Sequence, residues 1–568
     1  MNLNLNARKQ NSFDAIVVGT GISGGWAAKE LTEKGLKTLV LERGRDVRHV
    51  VDYPTMTKEP WEFPNAGRLT QEEVKYMPVQ SRTGWIGQAT KHWWVNDLEN
   101  PYNEIKPFDW IRGYHVGGRS IMWGKQTYRL SDLDFEANAK EGIGTDWPIR
   151  YKDIAPWYDY VESYIGVSGR EEGLPHLPDG KFLPPMDLNC VEEVFRDKVA
   201  EKFGRKITIG RVAHLTAALS HDPNRGICQS RNLCDRGCPY GAYFSSNAST
   251  LPAAQKTGNM TLRPHSIVHS IIYDEKKGRA IGVKVLDAET KEEIDFFARI
   301  IFLNASTLGS TFILLNSISD RFPNGMGNGS GQLGRNLMDH QYRVGAEADV
   351  DGFEDSYYIG RRPNGIYIAR FRNVGDDKRT DYLRGFGYQG SASREGWTSG
   401  VKEMMFGADL KNALTVPGGW KIGITGFGEC LPYADNRVTL NREKKDIFGL
   451  PTLNIDAEWK QNEKVMRKDI KESAAEMLEA SGFKNVQMYD VQNNIGLGIH
   501  EMGTACMGKD PKTSVLNKWN QVHEAPNVFV TDGAAMTSSA CQNPSLTYMA
   551  LTARAANHAV EELKKMNL

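Results

Sequence analysis

Hydrophobic residues near the start of the chain come in blocks that alternate with a helical pattern. AIVV (15–18) and LKTLVL (36–41) are short apolar runs, and the segment WAAKELTEKG between them has apolar positions three and four residues apart. Short continuous runs are typical of buried strands, and the three-to-four spacing is typical of an amphipathic helix. The first 42 residues therefore predict a strand, a helix and a second strand.

Three later segments extend this pattern. Around 264–305, three apolar runs are separated by the charged turns DEKKGR and DAETKEE, which predicts an antiparallel meander; the last run leads into a turn and a helix rather than a membrane span. From 340 to about 495, short apolar runs alternate with Gly-rich turns, which predicts a mainly antiparallel sheet. Near the C-terminus, VFV predicts a strand, and the segment after Pro544 predicts a helix. The fold class is α/β, with a Rossmann-like domain plus a second domain built on an antiparallel sheet backed by helices.

The turn after the first run reads Gly19-Thr20-Gly21-Ile22-Ser23-Gly24, and Glu42 ends the second run. Glycine at the first position permits a tight turn, the second lets a pyrophosphate approach the backbone, and the third lets helix and strand pack closely. The acid is placed to accept hydrogen bonds from a ribose. These residues predict a dinucleotide site, although the turn alone does not separate FAD from NAD.

Composition narrows the function classes. Of 568 residues, 40% are hydrophobic and 25% are charged, with 70 basic and 70 acidic side chains. This balance provides no basic surface for nucleic acid, so we expect no nucleic-acid partner. The N-terminus has no apolar segment of the kind that signal peptides contain, so the sequence predicts no signal peptide of its own.

With these residues in view, the chain resembles the glucose–methanol–choline (GMC) family of FAD-dependent alcohol oxidoreductases. Five motifs occur in the order of that family, and the resemblance runs nearly end to end. They are GTGISG with Glu42, VGGRS (116–120), GRNLMDH (334–340), HEMGTACMG (500–508) and DG (532–533) followed by NPSLT. The resemblance implies that the C-terminal end of the chain returns to the cofactor. The alternative assignment, a nicotinamide dehydrogenase, would not explain this return.

The resemblance implies the division of the chain and the residues that contact FAD. The FAD-binding domain would comprise 11–180 with a lid segment, 181–339 with a cysteine loop at 226–242, and 495–568, and the substrate domain would comprise 340–494. The implied FAD contacts are Gly19, Gly21, Ser23, Gly24, Glu42, Arg43, Gly117, Gly118, Ser120, Asp532 and Gly533. Some members attach FAD through a histidine at the position of Met122, so here we expect non-covalent FAD.

Oxidation of an alcohol by hydride transfer requires a base and a group that fixes the substrate oxygen. His500 matches the family's base, and Asn543 matches the second member of its catalytic pair. We expect a structural or flavin-side role for His340. For His115 the sequence suggests no specific function.

Cys228, Cys234 and Cys238 form a C-x5-C-x3-C cluster that ends in a Cys-Pro step. Soft thiolates suit iron–sulfur clusters or zinc, and reduced thiols or a single disulfide with a spare thiol remain alternatives. Similar cysteine trios in bacterial FAD-dependent sugar dehydrogenases hold a [3Fe-4S] cluster, and this chain has one extra residue between the first two cysteines. The resemblance thus implies a [3Fe-4S] cluster that relays electrons to an external acceptor.

The same resemblance suggests a sugar or glycoside substrate, including oxidation at C3 to a 3-keto sugar. Residues 85–110 contain Trp85, Trp93, Trp94 and Trp110. Their ring faces could stack on pyranose rings, and a packed lid or a docking surface for a partner explains them equally well. Relatives of this type work with a small subunit and a cytochrome, so the protein is expected in the cytoplasm, or in the periplasm if a signal-bearing partner exports it. The alternatives are an oxidase with structural cysteines and a non-catalytic flavoprotein.

Overall fold

The computed structural model describes residues 11–356, 365–396, 406–415 and 417–568. Its strands are β1 (Ser12–Val18), β2 (Thr38–Leu41), β3 (Asn103–Glu104), β4 (Val167–Ser168), β5 (Phe182–Leu183), β6 (Ile207–Ile209), β7 (Met260–Arg263), β8 (Ser266–Asp274), β9 (Arg279–Asp287), β10 (Glu293–Leu303), β11 (Val344–Val350), β12 (Ile366–Ile368), β13 (Phe386–Arg394), β14 (Trp420–Gly428), β15 (Arg437–Lys445), β16 (Pro451–Asp456), β17 (Lys484–Asp490), β18 (Gln521–Val522) and β19 (Ala525–Val530).

The helices are α1 (Ile22–Glu33), α2 (Gln71–Tyr76), α3 (Pro78–Arg82), α4 (Asp132–Phe135), α5 (Ala137–Glu141), α6 (Tyr151–Ile165), α7 (Cys190–Phe203), α8 (Thr250–Lys256), α9 (Thr307–Asn316), α10 (Gly407–Thr415), α11 (Gln461–Ala480) and α12 (Ser545–Lys564). Short 3-10 turns lie at Pro60–Glu62, Pro64–Gly67, Lys91–Trp93, Gly118–Ile121, Cys234–Arg236 and Gly533–Ala535. Within the described ranges, no helix has the length and apolar character that crossing a bilayer would need.

The first sheet is built around parallel strands in the order β19-β10-β1-β2-β7. Helix α1 returns the chain from β1 to β2, and β2 and the last four residues of β1 are buried because helices cover the sheet. Alanines of α1 and α12 pack into one core with the sheet. This arrangement confirms the predicted strand–helix–strand start and brings the C-terminal strand and helix back to it.

The predicted meander is also present. β8 pairs antiparallel with β9, and β9 pairs antiparallel with the first half of β10. The second half of β10 then enters the parallel sheet beside β1. One long strand therefore joins the meander to the nucleotide-binding type of sheet.

The second sheet has the order β17-β11-β14-β13-β12-β6 and all its pairings are antiparallel. Helices α11 and α7 pack on one face of it through a separate apolar core that contains Phe195, Tyr388, Ile424 and Ile470. The mainly antiparallel sheet backed by helices is confirmed.

The predicted domain boundaries remain predictions, and two segments lie across them. Helix α7 and strand β6, which precede residue 340, belong to the second sheet's layer. Strands β15 and β16, which lie within 340–494, form a small sheet with β3, and Val438 and Ile455 pack into the large core of the first domain.

Candidate active site

A cavity of about 1040 Å³ lies between the carboxyl ends of the parallel strands and the antiparallel sheet. Its walls include the residues that follow β1, β2, β10 and β19 and residues from the face of the second sheet that α11 does not cover. The carboxyl edge of a parallel sheet is where α/β proteins bind their ligands. The cavity is also at the upper end of the size range of small-molecule sites, roughly 300–1,000 Å³.

The glycine turn after β1 forms one end of this cavity. Gly19 has φ +96°, and a side chain there would also overlap the Asn304 carbonyl. At Gly21 an added Cβ would meet nothing within 4 Å, so the helix N-terminus faces open space. At Gly24 a Cβ would overlap the Gly19 carbonyl, as expected where helix and strand pack closely.

Glu42, at the end of β2, lines the same cavity. Its carboxylate accepts hydrogen bonds from the backbone N–H of Thr20 at 3.2 Å, the hydroxyl of Thr20 at 2.5 Å and the backbone N–H of Gly44 at 3.0 Å. Burial raises the pKa of Glu42. Thr20 Oγ1 also accepts from the N–H of Gly117 at 2.9 Å, so one threonine joins both glycine turns to the acid. The sequence did not single out Thr20.

The second glycine turn contains Gly117, Gly118 and Ser120. Gly117 has φ +87°, and a side chain there would collide with the amide of Asn247. Ser120 donates to the carbonyl of Gly117 at 2.6 Å and accepts from the N–H of Ser246 at 3.0 Å. Gly118 and Ser120 line the cavity, whereas Gly117 shapes the turn behind them.

Asp532 and Gly533 follow β19 and close the cavity from the side of the parallel sheet. The Asp532 carboxylate accepts from the hydroxyl of Ser310 at 2.6 Å and from the N–H of Ala534 at 3.0 Å. Burial raises the pKa of Asp532 to about 6. Ser23 and Arg43 also line the cavity, so all predicted contacts except Gly24 and Gly117 reach its surface.

His500 and Asn543 lie together on the cavity wall. Asn543 Nδ2 is 3.4 Å from His500 Nε2, and both residues line the cavity. On its other side, His500 Nδ1 is 2.9 Å from Nδ1 of His340, a fully buried residue. His340 therefore contacts the candidate base directly, which is more specific than the structural or flavin-side role that the sequence suggested.

The hydrogen bonds of His340 assign the tautomers of both rings. His340 Nε2 is 2.9 Å from the carbonyl of Ala540, and because a carbonyl only accepts, Nε2 carries the proton. Burial lowers the pKa of His340, so the ring is neutral and its Nδ1 is an acceptor. His500 must then donate from Nδ1, which leaves its Nε2 as an unprotonated acceptor that faces the cavity.

Electrostatics keep His500 neutral. Its pKa lies well below 6.5 because of burial, and the Arg119 guanidinium lowers it further. Arg119 forms an ion pair with Glu501, with Nη2 and Oε2 2.7 Å apart. His500 is thus a neutral imidazole whose Nε2 can accept a proton at neutral pH.

Asp339 fixes the backbone that carries His500. Its carboxylate accepts from the N–H groups of Gly496 at 2.8 Å, Gly498 at 2.9 Å and His500 at 3.0 Å. Burial raises the pKa of Asp339 to about 7. The adjacent residues Asp339 and His340, both in the GRNLMDH motif, therefore hold the main chain and the ring of His500 respectively.

Two family models match the chain, and both are described as GMC oxidoreductase. The N-terminal model covers residues 13–342, and the C-terminal model covers residues 432–552. The chain belongs to the GMC oxidoreductase family. Members bind FAD and act on CH–OH groups, so the protein is an oxidoreductase of that class.

Curated GMC relatives match over almost the whole chain. A 2-methyl-1,2-propanediol dehydrogenase from Mycolicibacterium austroafricanum is 27% identical, and the match covers 96% of this chain and 94% of the relative. The fructose dehydrogenase large subunit of Gluconobacter japonicus is 26% identical, with coverage of 98% and 99%. A paromamine 6'-oxidase from Streptomyces fradiae is 25% identical, with coverage of 97% and 92%.

Two solved structures share the GMC fold at low sequence identity. A pyridoxine 4-oxidase from Mesorbium loti has a TM-score of 0.58 at 15% identity, covering 96% of this chain and 99% of that chain. A formate oxidase variant from Aspergillus oryzae RIB40 has a TM-score of 0.61 at 15% identity, covering 98% and 99%. At this identity the likeness shows the fold alone.

The residues of this GMC chain fit a dinucleotide cofactor. The open space at Gly21 lies at the N-terminus of α1, where backbone N–H groups suit a pyrophosphate. Asn304 lines the cavity, and its buried Oδ1 has no hydrogen-bond partner among the described residues. Met122, where the resemblance predicts no covalent link to FAD, also lines the cavity.

The cysteine loop borders the same cavity but does not present a metal site. Of the three cysteines only Cys234 lines the cavity, and its Sγ is 3.8 Å from Nε2 of the buried His214. None of the seven cysteines is in a disulfide, which does not support the disulfide alternative. Over the described ranges, no group of three or more His, Cys, Asp or Glu side chains is arranged to hold a metal ion. The three thiols are the right donors for a cluster, but the described part of the chain shows no metal-binding group that would support one.

The antiparallel sheet forms the wall opposite the glycine turns. Gln389, Thr425, Gly345 and Tyr489 occupy one row across four neighbouring strands. Gln389, Thr425 and Tyr489 line the cavity, with Ser391, Gly423 and Glu347 from the next row. This polar wall is invisible to sequence reasoning, because it depends on strand register.

The aromatic segment is divided by the fold. Trp85, Trp94 and Trp110 line the cavity, whereas Trp93 is buried away from it. The ring of Trp85 stacks on Tyr342 with centroids 5.7 Å apart and an interplanar angle of 20°. Trp85 is 44% exposed, so this pair lies where the cavity opens to solvent.

Proposed function

We propose that the protein is a dehydrogenase that oxidises a hydroxyl group of a sugar or glycoside, with His500 as the base and Asn543 as the group that holds the reacting oxygen. The observation that carries this proposal is the unprotonated Nε2 of His500, 3.4 Å from the amide nitrogen of Asn543 on the cavity wall. A non-catalytic flavoprotein would not need a base and an amide donor side by side at its cavity.

The two residues divide the work at the substrate oxygen. The substrate hydroxyl donates to His500 Nε2 while its oxygen accepts from Asn543 Nδ2, which aims the adjacent C–H bond. His500 Nε2 takes the proton. The Nδ1–H of His500 stays hydrogen-bonded to Nδ1 of His340, and this hydrogen bond stabilises the charged His500 ring. Bound FAD supplies the hydride acceptor; Gly19, Gly21, Glu42, Gly118 and Asp532 would hold it, without a covalent link at Met122.

A polyhydroxylated substrate is supported by the opposite wall. Ser391, Thr425, Tyr489 and Glu347 provide hydroxyl and carboxylate groups for several ring hydroxyls. The stacked Trp85–Tyr342 pair provides an aromatic surface for a pyranose face. Among sugars, the cysteine motif favours a glycoside oxidised at C3 to a 3-keto sugar.

The electron acceptor in this proposal is another protein. One relative is named as the large subunit of a fructose dehydrogenase, and by analogy this chain would work with a small subunit, a cytochrome-type acceptor or both. Its location would follow from that partner: the cytoplasm without one, or the periplasm with a partner that carries an export signal.

The [3Fe-4S] cluster stands on the cysteine spacing and the resemblance alone. The arrangement of the three thiols does not support it, so no catalytic step proposed for His500 and Asn543 depends on it. Iron and acid-labile sulfide analysis of protein purified without air decides the matter. About three of each per chain would establish the cluster, and iron-free protein would exclude it.

A sugar or alcohol oxidase is the second candidate, because a relative of the same similarity is a paromamine 6'-oxidase. The deciding experiment titrates anaerobic holoprotein with glucose, fructose, gluconate and methyl glucosides and follows the flavin absorbance. The substrate that bleaches the flavin is then supplied with either oxygen or a quinone dye. Fast dye reduction without peroxide supports the dehydrogenase; peroxide at a similar rate supports the oxidase, and no bleaching by any sugar would overturn the sugar proposal.

A further inference from the structure

The amide of Asn543 is held by a second amide from the antiparallel sheet. Gln389 Nε2 donates to Asn543 Oδ1 at 2.6 Å, and Gln126 Nε2 donates to Gln389 Oε1 at 3.1 Å. The hydroxyl of Tyr128 donates to Gln126 Oε1. Three carboxamides and a phenol thus form a continuous hydrogen-bonded chain that ends at His500.

The donor and acceptor ends of each amide in this hydrogen-bonded chain are fixed by the histidine pair at the His500 end. The Ala540 carbonyl requires a proton on His340 Nε2, which leaves Nε2 of His500 as an acceptor. Asn543 must therefore turn its NH₂ group toward His500 and its oxygen toward Gln389. Gln389 can satisfy that oxygen only with its own NH₂ group, and the same requirement passes on to Gln126.

The far end of the chain is anchored in the core. Gln126 is 3% exposed, Tyr128 is fully buried, and Tyr128 stacks on Tyr367 with centroids 3.9 Å apart. Burial raises the pKa of Tyr128, so its hydroxyl keeps the proton that it donates. Rotation of the Gln126 amide would leave the buried hydroxyl of Tyr128 without its acceptor, which is costly. Rotation of the half-buried Gln389 amide would break its hydrogen bonds to both Asn543 and Gln126.

We propose that Gln389, held by Gln126, is a positioning residue that keeps the N–H of Asn543 turned toward the reacting oxygen. This inference rests on the proposed roles of His500 and Asn543. If the Asn543 amide turned over, its carbonyl oxygen would face the substrate oxygen and repel the negative charge that develops there. Gln389 touches Asn543 rather than the reacting atoms.

The substitution Gln389→Glu separates positioning from simple packing. The introduced carboxylate has the same shape as the amide but cannot donate, so it favours the turned-over Asn543 amide at neutral pH. We expect flavin reduction by the best sugar of the panel to fall roughly 10- to 100-fold, as for one polar contact made in the transition state. As pH falls and the introduced carboxylate gains a proton, it can donate again, so the activity of Gln389→Glu relative to wild type should rise.

Three further variants are controls for the effect of Gln389→Glu. Gln461→Glu makes the same change at an exposed position at the start of α11, outside the cavity lining, and should behave like wild type. Gln389→Met removes the donor to Asn543 without favouring the turned-over amide, so the rate of flavin reduction should fall only a fewfold. In the Asn543→Ala background, Gln389→Glu should add little further loss, because the group that it positions is absent.

A substrate-free measurement completes the test. Titration of ¹⁵N-histidine-labelled protein by NMR, with His500 assigned from the His500→Ala spectrum, should show a higher His500 pKa in Gln389→Glu, where the Asn543 oxygen can accept from Nε2–H. An unchanged His500 pKa with wild-type flavin reduction in Gln389→Glu would overturn the inference. Full activity in His500→Ala and Asn543→Ala would instead overturn the proposed function.

Discussion

Short sequence patterns predicted both the site around His500 and the cysteine loop as functional. In the fold, side chains from other segments surround His500 closely, whereas the cysteine loop has few such contacts at the cavity. His500 receives a ring partner from His340, a backbone clamp from Asp339 and a neighbour in Asn543, all within 3.4 Å. The cysteine loop brings one sulfur, that of Cys234, to the cavity, with an imidazole 3.8 Å away.

The difference shows what makes a pattern reliable. The His500 site is assembled from three separate segments of the chain, 339–340, 496–500 and 539–543, and each segment satisfies a polar group of another. The cysteine pattern is local, and its spacing alone does not define where three side chains point. A motif whose parts are matched by distant motifs therefore predicts geometry better than a compact run of one residue type.

The largest effect is expected at the base. His500→Ala should lower steady-state turnover with a quinone dye by roughly two to four orders of magnitude, because general base catalysis contributes that much. Flavin content should stay normal, since no cofactor-holding residue changes. His221→Ala, an exposed residue outside the cavity, is the control. Turnover near that of the control would remove His500 from the catalytic role.

The next effect is expected at His340, which orients His500. His340→Leu leaves Nδ1–H of His500 without its acceptor, so flavin reduction should slow roughly 10- to 100-fold. A wild-type rate of flavin reduction in a well-folded His340→Leu variant would show that His340 does not position the base.

The smallest effect is expected in the cysteine loop. The triple change of Cys228, Cys234 and Cys238 to serine should alter anaerobic flavin reduction by less than about twofold, because none of the three contacts His500 or Asn543. Transfer to a one-electron acceptor is measured in parallel. A large loss confined to that second step, together with iron in the wild type, would reverse the comparison and give the loop an electron-transfer role.

Much of the fold could be predicted from sequence because its signals are local. The run AIVV, the glycine turn and the spacing in α1 each respond to short-range geometry, and all three are present. The meander and the C-terminal helix were predicted for the same reason.

The finer parts of the site could not be predicted because they depend on register and long-range approach. Thr20 joins two glycine turns and Glu42 only after residues 20 and 117 have come together. Gln389 faces Asn543 only because β13 has a particular register beside β14. His214 approaches Cys234 through a bridge between His214 and Tyr243, which no spacing in the sequence reveals.

If His500 is a neutral base beside the substrate oxygen, the pH dependence of anaerobic flavin reduction must show it. Because the pKa of His500 lies well below 6.5, the wild-type rate should stay level as pH falls from 8 to 6.5 and decline only at lower pH. A rate that is already halved near pH 6.5, or one that His500→Ala leaves unchanged across this range, would contradict the account.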